Sequence, residues 1–85
     1  MDPKVLRQIF ASNLRQFRNA KGISQEDLAF DAGVNRSYMS RLEKGASYPG
    51  LEIIAKLATV LEIEPARLLD LSRHRLPRRR GQEKS

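Results

Sequence analysis

The chain has 85 residues, with 16 Lys and Arg against 10 Asp and Glu, one His and no Cys. That length is one small domain, with room for a single core and no deep interior cleft. The missing cysteines exclude a disulfide framework, a Cys-based zinc site and a thiol nucleophile, and a lone His excludes a multi-His metal site. A cysteine-free chain also fits a reducing, cytoplasmic setting. The least polar stretch, Leu51 to Leu61, is broken by Glu52 and Lys56 and falls short of the roughly 20 apolar residues of a membrane span. Met1-Asp2-Pro3-Lys4 lacks the apolar core of a signal peptide. The net charge of +6 is unevenly placed: residues 1–71 hold 10 Lys/Arg and 9 Asp/Glu, whereas residues 72–85 hold 6 and 1. Residues 1–71 are polarised in turn, at +4 over 1–22, −3 over 23–33, +2 over 34–45 and −2 over 46–71.

Val5, Leu6, Ile9, Phe10, Leu14 and Phe17 recur at helical spacing and predict a first helix over 3–21 with one apolar face. Asp2 is its candidate N-cap, Pro3 fits the first helical position and Gly22 supplies the stop. Ser24 caps a second, short helix with Glu26 and Asp27 in its first turn, inward Leu28, Ala29 and Ala32, and a stop at Gly33. Asn35 caps a third helix running to Lys44, with Met39 and Leu42 on its inner face. Ala46-Ser47-Tyr48-Pro49-Gly50 is a loop. A fourth helix follows over 51–61 with Leu51, Ile54, Ala55, Ala58 and Leu61 inward, then a fifth from Pro65 to Leu71. No run alternates with period two, so the reading is all-α with no sheet: a helical domain over 1–71 and a basic, flexible tail over 72–85 in which His74 is solvated.

Two short helices around Gly33 have the spacing of a helix-turn-helix, whose second helix enters the DNA major groove. Gly33 supplies the left-handed turn, Ala29 allows close approach, and Val34, Met39 and Leu42 anchor the third helix. Its other face then carries Arg36, Ser37, Ser40 and Arg41, with no acid among them. Arginine donates in bidentate fashion to guanine O6 and N7, the commonest specific contact.

From Ser24-Gln25-Glu26-Asp27-Leu28-Ala29 through Ala32-Gly33-Val34-Asn35-Arg36-Ser37-Tyr38-Met39-Ser40-Arg41-Leu42-Glu43-Lys44-Gly45, the chain resembles the phage-repressor/Cro-like (XRE-type) helix-turn-helix family. The similarity runs over about residues 5–70. Within that family, its small size and Asn35-Arg36-Ser37-Tyr38 resemble the controller proteins of restriction–modification systems. The resemblance implies a compact five-helix bundle of the lambda-repressor-like type and sequence-specific binding to double-stranded DNA. It also implies transcription regulation, a homodimer on a palindromic operator, and RNA polymerase as a further partner. It implies that Gln25 touches a phosphate and steadies the recognition helix, that Arg36, Ser37, Ser40 and Arg41 reach bases, and that Tyr38 contacts DNA at the helix edge. Asn35, Lys44 and Ser47 complete the expected DNA-binding set. Arg18 and Glu43 correspond to an internal ion pair of the family.

Two departures stand out. The 46–48 loop lacks the basic residues that many relatives use on phosphates, and Gly50 replaces a capping Ser or Thr. Leu68, Leu69 and Leu71 compete with Ile53, Val60 and Ile63 for cover, which points to an exposed apolar patch and a dimer through helices 4 and 5. The basic run from Arg73 to Arg80 reads as a DNA arm, a passive solubilising end or a contact to another anionic surface. A protein-interaction adaptor, such as the antitoxin of a toxin–antitoxin pair, is the alternative function. An enzyme is not supported: there is no nucleotide loop, metal cluster or carboxylate pair in a cleft, and no cofactor is expected.

Overall fold

Asp2 and Gly22 bound the first helix, α1 (Pro3–Lys21), as the sequence predicts. The computed structural model describes residues 1–72 and 74. Asp2 Oδ1 accepts the Lys4 N–H at 2.8 Å. Gly22, at φ 76°, closes the helix in the left-handed conformation that only glycine adopts without a Cβ penalty. α2 (Gln25–Ala32) starts where Ser24 Oγ accepts the Asp27 N–H at 2.9 Å and stops at Gly33, φ 68°. α3 (Arg36–Glu43) is capped by Asn35, whose Oδ1 accepts the Tyr38 N–H at 3.2 Å. α4 (Leu51–Leu61) has no side-chain cap at Gly50, in keeping with the departure noted in the sequence.

Phe10, Leu14, Leu28, Met39, Leu42, Leu57 and Leu68 are the largest fully buried apolar side chains, and each ties one element to the shared core. Truncating any one of these leucines to alanine costs about 2–5 kcal/mol. α1 packs on α3 and the C-terminal turn, while α2 lies against α3 and α4.

The structure departs from the sequence reading in four places. Among the described residues there are four α-helices and no strand, and the expected fifth helix is a 3₁₀ helix, Pro65–Leu69. It stops before Leu71 because Asp70 is already extended at ψ 126°; Asn13 Nδ2 donates to Leu68 O within it and to Asp70 O just after it, each at 3.0 Å. Leu51 and Ala55 point outward, Leu51 with 84% of its surface exposed, and Leu57 takes the inward place instead. Leu51 is the first residue of α4 and lies beyond the reach of the core. Val5 and Leu6, in the first two turns of α1, are likewise exposed. Finally, His74 is half-buried rather than solvated. Its Nε2 lies 2.9 Å from Asn13 Oδ1, and since that oxygen only accepts, the ring nitrogen carries the proton. Apart from His74, the basic run from Arg73 to Arg80, with the readings attached to it, lies outside the described residues.

Candidate nucleic-acid interface

At 100° per residue, Arg36, Ser40, Lys44, Ser37 and Arg41 fall within an arc of about 140° on α3 and its C-terminal extension. Leu42 and Met39 lie on the opposite side, Glu43 lies at the boundary next to Arg36, and all three are buried. The helix therefore has a core face and a separate polar face. Arg36, Ser37, Arg41 and Lys44 are exposed, and Ser40 is half-exposed.

One buried carboxylate holds this helix in place. Glu43 is 4% exposed and receives Arg18 Nε on Oε2 at 2.6 Å. Its Oε1 accepts Arg18 Nη2 and Gln25 Nε2, each at 3.1 Å. Arg18 Nη1 also donates to the Ile23 carbonyl at 3.0 Å. Residues from α1, α2 and α3 thus converge on a single acid. The ion pair expected between Arg18 and Glu43 is present, and Gln25 steadies α3 by direct contact.

The far end of α3 is fixed by side chains that the sequence reading missed. Arg15 Nη1 donates to the Glu43 carbonyl, Gln8 Nε2 to the Lys44 carbonyl at 3.4 Å, and Arg7 Nε to the Gly45 carbonyl at 3.3 Å. Cations and amides at a helix C-terminus satisfy its orphan carbonyls and complement its dipole. The signal was available: Arg7, Ala11, Arg15 and Arg18 follow one another at spacings of four, four and three on α1, and the buried Ala11 lets α3 come close. Gly45, at φ 74°, suits this position through its backbone, while its nearest neighbour is the movable end of the Gln8 side chain. Its backbone is left-handed, and an added Cβ would stand 2.5 Å from Gln8 Nε2.

The loop after α3 is tied back to the helix. Arg7 stacks over the Tyr48 ring at 4.4 Å, and Tyr38 Oη donates to the Tyr48 carbonyl. Arg41 Nε donates to Ser47 Oγ at 3.0 Å and lies 5.7 Å from the Tyr38 ring centroid. Arg36 Nη1 approaches Glu26 Oε2 of α2 at 3.6 Å. Of the residues singled out in the sequence, Arg36, Ser37, Ser40, Arg41, Lys44, Tyr38 and Ser47 come together on one surface. Gln25 is engaged on Glu43, and the exposed Asn35 is engaged as the cap of α3.

Residues 14–68 match the family described as Helix-turn-helix. Control protein C.BamHI of Bacillus amyloliquefaciens is 37% identical over 68 residues, which cover 79% of this chain and 84% of that protein. A Neisseria meningitidis protein described as a hypothetical transcription factor is 40% identical over 68 residues, and the chain spans 64% of its length. The crystal structure of the restriction-modification controller protein C.AhdI from Aeromonas hydrophila superimposes with a TM-score of 0.71 at 48% identity. That match covers 73% of this chain and 94% of C.AhdI.

Proposed function

We infer that this chain, which belongs to the helix-turn-helix family of DNA-binding transcriptional regulators, is a compact controller-type regulator that binds a palindromic operator as a homodimer in the cytoplasm. The observation that carries this reading is the face of α3: Arg36, Ser37 and Arg41 exposed together on a helix whose other side is locked by Arg18, Gln25 and Glu43. A rigid helix presenting donors is what base readout in the major groove needs. In this reading Arg36, Ser37, Ser40 and Arg41 face base edges. Tyr38, Lys44, Ser47 and the α2 N-terminus at Gln25 lie along phosphates, and Asn35 sets the start of α3.

Dimerisation through α4 and the C-terminal turn is supported by the apolar surface left there. Ile53, Val60, Ile63 and Leu69 are only half-covered, and Leu71 is 40% exposed. A two-fold axis through that patch would set the two recognition helices on successive major grooves, about 34–36 Å apart. RNA polymerase is the partner through which a bound regulator of this size would act on transcription.

The test is selection of bound duplexes from a random library by the full chain, with sedimentation of the free and bound protein. The expected result is two inverted half-sites and a dimer. Arg36→Ala should then relax preference at one base pair per half-site and cost about 1–3 kcal/mol. No enriched sequence, or a monomer on DNA at tens of micromolar, overturns the reading.

A further inference from the structure

Glu26 stands in the first turn of α2, and its carboxylate lies 3.6 Å from Nη1 of Arg36, the first residue of α3. The pair is poorly suited to holding the fold. Arg36 and Glu26 are 72% and 67% exposed, and ion pairs in that setting add little to stability. Neither side chain caps a helix: Ser24 and Asn35 do that. What the pair does is place an acid beside the first residue of the helix that meets DNA, where a lone carboxylate would face a polyanion.

Resting on the DNA-binding reading above, we infer that Glu26 is a second specificity-determining residue: the base step beside the guanine read by Arg36 must present an amino group, and that base is cytosine. A carboxylate only accepts hydrogen bonds. In the major groove, guanine offers O6 and N7 and thymine offers O4, all acceptors that repel it. Cytosine offers the N4 amino donor, the usual partner of Glu. Adenine offers N6 but sets N7 beside it, an acceptor that a carboxylate meets unfavourably. The acid therefore discriminates chiefly by rejection, which is how specificity is gained without added affinity.

Glu26 also acts on Arg36 itself. An unpaired guanidinium at the groove edge gains from any phosphate within reach. One whose charge is balanced by a neighbouring carboxylate gains less from phosphates, while its remaining N–H groups still match guanine. The pair lowers affinity for arbitrary DNA more than it lowers affinity for the operator.

The experiment compares the full chain with Glu26→Gln and Glu26→Ala, using selection from a random duplex library and titration of the selected duplex and a scrambled one at two salt concentrations. Melting curves confirm that both variants fold, as expected for an exposed side chain. For the unaltered chain, cytosine should follow the guanine of each half-site. Glu26→Ala should lose that preference by on the order of tenfold and bind the scrambled duplex more tightly, with a log K–log salt slope steeper by up to about 0.9 per Arg36 released to a phosphate. Glu26→Gln should move the preference from cytosine to adenine, because a carboxamide bonds adenine N6 and N7 together. The inference is overturned if both variants return the parental motif with equal changes on the two duplexes. It is also overturned if guanine is lost while the neighbouring base is unaffected, which would leave Glu26 as a positioning residue for Arg36 alone. No motif from the unaltered chain would overturn the DNA-binding reading, and this inference with it.

Discussion

Arg18 and Glu43 meet through two parallel contacts, Nε to Oε2 at 2.6 Å and Nη2 to Oε1 at 3.1 Å, across the junction of α1 and α3. Glu43 is nearly sealed from solvent, and Arg18 keeps 16% of its side chain exposed. A buried carboxylate without its partner must be desolvated alone, so Arg18→Ala should destabilise the chain by about 3–5 kcal/mol. The stability of a whole small domain is about 5–15 kcal/mol, so this one pair is a large share of it. Glu43→Ala should cost a similar amount, since it strands both Arg18 and Gln25. In urea denaturation, the double variant should lose clearly less than the two single losses added together. Losses under 1 kcal/mol, adding without coupling, would show that the pair behaves as a surface contact.

Asn13 does for the C-terminal segment what Glu43 does for α3. It is fully buried, donates to the Leu68 and Asp70 carbonyls, and accepts from His74. Asn13→Ala leaves a buried carbonyl without its donor, at about 1–3 kcal/mol, and unfastens Leu68, Asp70 and His74 from α1. Asn13→Leu restores the volume without the donors and should not recover the loss. Hydrogen exchange supplies the check: the Asp70 and His74 amides, which donate to Arg67 O and Leu71 O, should exchange faster in both variants. Unchanged exchange there would mean that the leucines alone hold the segment.

The helices of this chain were legible because their signals are local. Asp2, Ser24 and Asn35 as caps and Gly22 and Gly33 as stops act within one turn of their own positions, and α1 and α4 begin and end where the sequence places them. The helix-turn-helix surface was legible for the same reason, its residues lying on one face of one helix. What sequence reading missed is long-range. Asn13 sits in the apolar phase of α1, between Phe10 and Leu14, yet its partners lie 55 to 61 residues away, and no spacing rule connects them. The half-burial of His74 goes with that same contact. The inward phase of α4 slipped at Leu51 because period alone does not say how far the core reaches. Arg7, Gln8 and Arg15 were readable only as a basic stripe, since the carbonyls they serve become neighbours after folding.

Tyr38 is engaged before any DNA arrives. Its hydroxyl donates to the Tyr48 carbonyl, and its ring lies beside the Arg41 guanidinium. The 46–50 loop carries no basic residue, so its contribution at a phosphate would come from Ser47 and backbone N–H groups held in position. Tyr38→Phe removes one hydrogen bond and keeps the ring, at about 0.5–1.5 kcal/mol of stability. The loop should become looser, with faster exchange at Ala46, whose amide otherwise bonds Arg41 O at 2.9 Å. Operator affinity should fall while the selected sequence stays the same, because the tyrosine sets the loop rather than reading a base. A changed base preference would instead assign Tyr38 to direct readout.

Lys21 and Glu62 join the ends of α1 and α4, Nζ to Oε1 at 2.6 Å. The hydrogen bond from Lys21, and then its charge, hold the Glu62 carboxyl below the usual carboxylate range. A carboxyl whose pKa is depressed on folding stabilises the folded state above its unfolded pKa, about 4.3 for glutamate. That contribution is lost as the pH falls through the lower folded value. Glu62→Gln keeps the left-handed backbone of this residue, φ 58°, and a side chain of similar size, so it isolates the charge. The melting temperature of the parent should exceed that of the variant by a constant amount from pH 7 to about pH 5, with the gap narrowing below about pH 4. Both residues are reached by solvent, so salt at about 1 M, where the Debye length is about 3 Å, should shrink the gap at neutral pH as well. A difference that persists unchanged at pH 2.5 would trace to the shape of the side chain and not to its ionisation.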